Sequence, residues 1–436
     1  MQKDLLKTAS LGIQHVLAMY AGAVIVPLIV GGAIGLSGEQ LTYLVSIDLL
    51  MCGIATLLQV WKNKYFGIGL PVMLGCTFTA VGPMIAIGGQ YGVSAIYGSI
   101  LVGGVFLVLV STIFGKLVKY FPPVVTGSVV TIIGITLIPV AMNDMAGGVG
   151  SADFGSVQNL ALSFGTLFFI LVLYRFAKGF MRQIAILLGL IIGTVVAYFL
   201  GKVEFSAVAD ASWMHMPKPF YFGMPTFEPS AIIMMILVLI VGLVEASGVY
   251  FALSDITGKK LTEKEISKGY RAEGIATILG GIFNAFPYTT YSQNVGLIQL
   301  SGVKKNTVIY AAGAFLIILG FLPKVGAFTT VIPTPVLGGA MLAMFGMVIS
   351  AGIKMLSKVD FSSQENLLIM ACSIGMGLGI TTVPTLFANL PEGIQIITSN
   401  GIVIGSLTAI LMNLIFMKSP REKKVQVLKE HGQQAS

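Results

Sequence analysis

Residues Gly67–Met84 read GIGLPVMLGCTFTAVGPM, and residues Phe286–Gly302 read FPYTTYSQNVGLIQLSG. Each is an apolar stretch interrupted by proline, glycine and small polar residues. Backbone that leaves the helix at membrane depth must have its N–H and C=O groups satisfied by protein or by a cavity lining. Two such breaks in matching places of two halves are the pattern of secondary transporters, whose sites lie near the midplane at broken helices. A pair of proline kinks in packed helices is the competing reading, and finding two together weighs against it.

The rest of the chain makes lipid the solvent. Of 436 residues, 56% are hydrophobic and only 10% are charged, with a mean hydropathy of +0.91. A soluble domain covers itself with about 25% charged residues. The composition excludes soluble enzymes, nucleic-acid binders and disulfide scaffolds, and makes the lipid bilayer the first partner. The net charge of +8 implies no nucleic acid. Cys52, Cys76 and Cys372 sit in apolar stretches without metal-ligand spacing and read as small buried residues. No cleavable signal is read at Met1–Ser10, which is short and polar.

A spanning helix needs about 20 mostly apolar residues. Such runs fall at 11–31, 41–60, 67–88, 93–115, 122–141, 158–176, 183–200, 229–253, 270–285, 289–301, 306–323, 329–350, 364–382 and 394–417. The fold class is therefore an all-α polytopic membrane protein with fourteen segments. Basic residues concentrate in cytoplasmic loops. With a cytoplasmic N-terminus, alternation puts 23 of the 26 lysines and arginines inside and leaves Lys202, Lys218 and Lys324 outside. Both termini are then cytoplasmic.

Two echoes point to an internal repeat. Pro123–Gly134 (PVVTGSVVTIIG) and Pro335–Gly346 (PVLGGAMLAMFG) share Pro-Val, Gly four residues on and Gly eleven residues on. Gly69–Val72 likewise echoes Ala285–Tyr288. Two halves of seven spans have opposite topology, which makes the repeat inverted.

Few ionisable groups remain inside the spans. Glu245 lies mid-span in LIVGLVEASGVYFAL. A charge there costs about 2.5–3.5 kcal/mol on insertion scales, so a partner offsets it or the group carries a proton. Its two oxygens also suit the N–H donors of a planar heterocycle. Glu273 follows Arg271 by two residues, and ion pairing competes with a proton role. Asp48 reads as a helix tether or a proton carrier, Asp255 as an interfacial acid, and His15 as a packing residue or a site group. The adjacent amides of Gln293 and Asn294 suit a neutral polar ligand such as a purine. Phe78 and Tyr291 flank the two breaks, where they would stack on a flat ring or simply pack.

Together, Gly12–Gly31 (GIQHVLAMYAGAVIVPLIVG), Leu70–Gly88 (LPVMLGCTFTAVGPMIAIG) and Ser292–Gly302 (SQNVGLIQLSG) resemble the nucleobase–ascorbate transporters (nucleobase:cation symporter-2 family), nearest their bacterial xanthine permease group. The family pattern is [Gln/Glu/Pro]-Asn-x-Gly-x4-Thr-[Arg/Lys/Gly]. Gln293, Asn294, Gly296 and Gly302 match it, and Ser301 stands where the pattern has Thr. The likeness runs from about Leu11 to about Phe416.

The resemblance implies fourteen spans in two inverted halves, with short strands in spans three and ten. It implies a core, residues 1–119 and 229–325, that moves against a gate, residues 120–228 and 326–417, with a cytoplasmic tail at 418–436. It places substrate contacts on Glu245, Gln293, Phe78, Thr77, Tyr291 and Ser292, and site support or proton coupling on Asn294, Glu273, His15 and Asp48. Some relatives carry His or Asp one turn after the span-eight Glu. Val249 stands there in this chain, so a proton role falls to Glu245 or Glu273.

The function implied is proton-coupled uptake of a purine nucleobase, foremost xanthine, across a bacterial plasma membrane. It needs no cofactor beyond the coupling proton. A homodimer is implied by the resemblance alone. Urate or uracil transport, and anion transport on the same inverted-repeat fold, are the alternatives. An embedded enzyme lacks any catalytic motif in the sequence.

Overall fold

The computed structural model describes residues 2–118 and 121–416. Lys119 and the tail at 418–436, with its basic residues, lie outside the described residues. Two long helices open the chain, α1 (Gln2–Ala33) and α2 (Gly38–Val60). A capping box starts α2: the Ser37 hydroxyl accepts from the Gln40 N–H, and the Gln40 side chain accepts from the Ser37 N–H. Next come β1 (Leu74–Cys76), a 3-10 turn at Phe78–Ala80, α3 (Val81–Tyr91) and α4 (Val93–Leu117). They are followed by α5 (Pro123–Met145), α6 (Val157–Phe176), the single turn α7 (Phe180–Gln183), α8 (Ala185–Phe199) and the short α9 (Ser206–Asp210). The chain continues through α10 (Pro229–Thr257), α11 (Glu263–Phe283), β2 (Tyr288–Thr290), α12 (Ser292–Ser301) and α13 (Asn306–Gly320). It ends with α14 (Pro323–Thr330), α15 (Thr334–Leu356), α16 (Gln364–Thr382), α17 (Glu392–Thr398) and α18 (Gly401–Phe416).

Among the described residues, eight helices are long and apolar enough to cross a membrane, and ten segments qualify if two bent pairs each count as one span. The bent pairs are α13 with α14, at 79°, and α17 with α18, at 73°. The protein is thus a multi-pass, mostly helical membrane protein. Large apolar side chains such as Phe164, Phe168 and Leu171 stand exposed along α6, as a lipid-facing helix requires.

Several helices differ from the apolar runs. The run at 306–323 stops at Gly320, and Pro323 restarts it in a new direction; proline lacks the N–H that continuing the helix would need. The run at 329–350 straddles a break, because α15 begins only after Pro333. The run at 394–417 bends between α17 and α18, and the run at 183–200 divides at Ile184. Conversely, α11 begins at Glu263, well before the apolar run at 270, because Thr262 and Glu265 form a capping box in polar sequence. Cys52 and Cys76 are buried, but Cys372 is exposed on the outward face of α16, contrary to expectation.

The helices pack in two groups. One holds α1–α4 and α10–α13 around the strand pair, with α4 against α11 and α2 against α13. The other holds α5, α6, α8, α15, α16 and α18, with α5 against α15 and α16 against α18. Glycines set the closest crossings in the first group. A Cβ on Gly53 would lie 2.6 Å from the Gly313 carbonyl oxygen, and one on Gly104 would lie 2.8 Å from the Ile278 N. Small residues at such crossings let lipid-embedded helices gain packing contact. The two groups meet where α10 touches α5, α17 and α18, and where α1 touches α8 and α15.

Candidate functional site

β1 and β2 form an antiparallel pair, with Leu74 opposite Thr290, Gly75 opposite Thr289 and Cys76 opposite Tyr288. The Thr77 N–H donates to the Pro287 carbonyl at 3.0 Å, and the Tyr291 N–H donates to the Met73 carbonyl at 3.0 Å. Each broken stretch therefore satisfies the other's backbone, which is the condition for non-helical chain at membrane depth. Helix resumes after each strand, through the 3-10 turn into α3 on one side and through α12 on the other.

Glu245 of α10 faces that turn. The Thr79 hydroxyl donates to Glu245 Oε2 at 3.0 Å. Glu245, Phe78, Tyr291, Ser292 and Gln293 line one cavity. Its opposite wall is apolar: Val130 of α5, and Val348, Ala351 and Met355 of α15. The polar lining thus comes from one helix group and apolar cover from the other. No lysine, arginine or histidine lines the cavity among the described residues.

The cavity encloses about 10 Å³. A cavity of roughly 150 Å³ is known to hold benzene, so this one as it stands is too small for a bicyclic ring. The rings of Phe78 and Tyr291 lie 6.0 Å apart between centroids and 15° from parallel. A larger cavity of about 400 Å³ shares Val249, Ser292, Ala351 and Met355 with the first and reaches Lys354, Lys358 and Asp255.

A model of the Permease family (Xan_ur_permease) matches residues 6–386. The chain belongs to that family. It is the nucleobase–ascorbate transporter family that the 293–302 signature resembles, and the permease is a membrane transporter rather than an enzyme. It is similar to the xanthine permease of Bacillus subtilis (strain 168), at 64% identity over 420 residues that cover 96% of each chain. It is similar to the uric acid permease PucK of the same organism, at 63% identity over 426 residues, covering 98% of this chain and 99% of PucK. Among solved structures, it resembles the transmembrane domain of a cyanobacterium bicarbonate transporter, BicA, with a TM-score of 0.63. That likeness covers 94% of this chain and 97% of the other at 16% identity, and is one of fold.

The permease holds its other predicted site residues behind the cavity wall. Thr77 caps the turn, its Oγ1 accepting from the Thr79 N–H at 3.3 Å. Asn294 Nδ2 donates to the His15 carbonyl at 3.0 Å and meets His15 Nδ1 at 3.2 Å. A carbonyl only accepts, so the amide nitrogen faces it, and Nδ1 therefore accepts as well, which puts the ring proton on Nε2. His15 thus orients the motif from beneath. Asp48 Oδ1 accepts from the Tyr288 hydroxyl at 2.8 Å, and Oδ2 accepts from Cys52 Sγ at 3.6 Å. It anchors β2 to α2.

Glu273 Oε1 accepts from the Tyr250 hydroxyl at 2.5 Å, and Tyr250 in turn accepts from Gln59 Nε2. Arg271 turns away to the Tyr65 carbonyl, Ser111 and Thr112, so the ion pair weighed for Glu273 is not formed with it. Asp255 pairs at an exposed position with Lys358, at 3.6 Å.

Three hydroxyls of the site escape the sequence pattern. Thr79 is the residue that touches Glu245. The Thr289 and Thr290 hydroxyls are buried without a hydrogen-bond partner among the described residues, and both residues line the cavity. The only signal was the run of hydroxyl residues inside each break, Thr-Phe-Thr and Tyr-Thr-Thr, which does not say which of them turns inward.

Proposed function

We propose that this permease carries a purine nucleobase of the xanthine type into the cell in symport with protons. The observation that carries the reading is that the Glu245 carboxylate and the Gln293 amide line one cavity, with an apolar wall opposite. A carboxylate accepts ring N–H groups, and an amide both donates and accepts along a purine edge. The names of the similar proteins, xanthine permease and uric acid permease, support the substrate class. Their near-equal identities leave the choice between the two bases to competition with unlabelled urate. An anion as the cargo is disfavoured by the absence of any cation on the cavity wall among the described residues.

In the same reading, fourteen spans form two inverted halves. Helix packing supports this: the contact of α4 with α11 and that of α2 with α13 are one contact seen twice, once from each half. The Pro123–Gly134 and Pro335–Gly346 echoes fall on α5 and α15, which pack together. Residues 1–119 and 229–325 act as the core, and 120–228 and 326–417 as the gate. Separation of the two opens the cavity. Both termini face the cytoplasm of a bacterial cell, so the larger cavity at Lys354 and Lys358 is the inward mouth. Phe78 and Tyr291 part to take the base, with Thr77 and Ser292 beside them. Glu245 or Glu273 carries the coupled proton, and Asp48, His15 and Asn294 hold the strands and the motif. A homodimer through the gate belongs to this reading on the resemblance alone.

The test is uptake of labelled xanthine in a permease-deficient cell, with and without a protonophore. Saturable uptake that collapses with the protonophore is expected. Uptake indifferent to it removes the symport, and absence of uptake removes the substrate.

A further inference from the structure

Gln183 ends α7, directly after the basic residues Arg175, Lys178 and Arg182 and at the very start of the apolar run 183–200. Its side chain lines a cavity of about 70 Å³ together with Tyr174, Met347, Tyr291 and Gln293. This cavity lies beside the one holding Glu245, and Tyr291 and Gln293 belong to both walls. In the Glu245 cavity every residue from the gate helices α5 and α15 is apolar. In the neighbouring cavity the gate side presents an amide. Neither Gln183 nor Gln293 hydrogen-bonds through its side chain to another described residue. Both residues are partly exposed rather than sealed away, so each amide is free to meet water or a ligand in the cavity. The Gln183 amide also rests on the motif helix: a Cβ on Gly296, one turn beyond Gln293, would stand 3.5 Å from Gln183 Oε1.

We propose that Gln183 is a specificity-determining residue: with Gln293 it forms a second, gate-side subsite that takes an N–H or C=O group on the edge of the purine as the base passes between core and gate. The inference rests on the purine-transport reading above. About 70 Å³ is half the roughly 150 Å³ that holds benzene, so the subsite takes one edge of the base rather than the whole of it. An amide suits that task because it matches either polarity of edge group without adding charge.

The test compares wild type, Gln183→Leu and Gln183→Asn for uptake of labelled xanthine at equal membrane abundance, with a panel of unlabelled purines differing at their edge groups. Gln183→Leu keeps the volume and removes the hydrogen bonds. The expected result is a KM raised about tenfold with little change in maximal rate, a flattened inhibition pattern across the panel, and partial recovery in Gln183→Asn. If Gln183→Leu fails to reach the membrane, Gln183→Asn is read alone, and a changed inhibition pattern is still required of it. Unchanged KM and pattern in the variants, with wild type transporting xanthine, overturn the role of Gln183 alone. A wild type that takes up no purine overturns the underlying reading instead.

Discussion

The Thr79 hydroxyl donates to Glu245 Oε2 across 3.0 Å, joining the turn after β1 to the middle of α10. This bond fixes the carboxylate on the cavity wall and leaves Oε1 for a ligand. Glu245→Gln is expected to reduce xanthine uptake to background with normal amounts of protein in the membrane. Normal uptake by that variant removes Glu245 from the site.

Thr79 acts through Glu245. A hydrogen bond to a charged group contributes about 1.5–3 kcal/mol, or roughly tenfold or more in affinity. Thr79→Val is expected to raise the uptake KM by at least that factor, and Thr79→Ser to restore it. If Thr79→Ser behaves like Thr79→Val, the methyl group rather than the hydroxyl matters there.

Glu273 depends on Tyr250 in the same way, but deeper in the protein. Removing the tyrosine hydroxyl strands a buried carboxyl oxygen and the Gln59 amide nitrogen together. Each stranded group costs about 1–3 kcal/mol. Tyr250→Phe should therefore lower the melting temperature in detergent by several degrees. Glu273→Gln, whose amide oxygen still accepts from Tyr250, should lower it less. The reverse order contradicts this hydrogen-bond chain.

At the start of α11, Lys62 Nζ lies 2.7 Å from Glu265 Oε1. Partial burial pushes the Glu265 carboxyl upward, but the Lys62 ammonium and the bonds from Thr262 outweigh it and hold the group at about 2, below its ordinary 4.5. A depressed carboxyl stabilises the fold above its ordinary pKa and stops doing so as pH falls through the folded value. The melting-temperature gap between wild type and Glu265→Gln should thus be constant from pH 7 to about 5 and close between about 4 and 2. A gap that persists below pH 2 rules out the ion pair as its source.

How much of this was legible follows from where the physics resides. The breaks at Gly67–Met84 and Phe286–Gly302 were visible because proline and glycine contradict an apolar helix within the segment itself. Glu245 was visible because charge is costly in lipid. Thr79 and Gln183 were not visible: a threonine mid-span and a glutamine at the basic edge of an apolar run violate no local rule, and only the packing of α10 against the turn, and of α7 against α12, gives them a role. The bend between α17 and α18 was hidden for the opposite reason, since Thr398–Gly401 is too short a polar stretch to divide an apolar run and the two helices together still qualify as one span.

The repeat makes a prediction of its own. If the halves are equivalent, Gly53 facing Gly313 and Gly104 facing Gly274 do the same work at two crossings. Gly53 on α2 and Gly274 on α11 are then the repeat-related pair, and valine at either must push backbone apart, since the nearest atoms at both positions include main chain. Gly53→Val and Gly274→Val should destabilise by similar amounts in a detergent melt. A large loss from one and none from the other argues against equivalent halves.

Met355 partitions the small cavity at Glu245 from the larger one at Lys354, since it lines both. Gly248 gives it room: a Cβ there would lie 2.9 Å from Met355 Cε, at the far end of a flexible side chain. A methionine in that position yields easily, as a partition that opens in each cycle must. Thr290 lines the small cavity and not the larger one, so it reports passage between them. With Thr290→Cys in a Cys372→Ser background, which removes the exposed native thiol, a thiol reagent supplied from the side of Lys354 and Lys358 should react severalfold faster when Met355→Ala is added. Added xanthine should slow that reaction. Equal rates with methionine and alanine at 355 would place the barrier elsewhere, at Val249, Ser292 or Ala351, the remaining residues common to both walls.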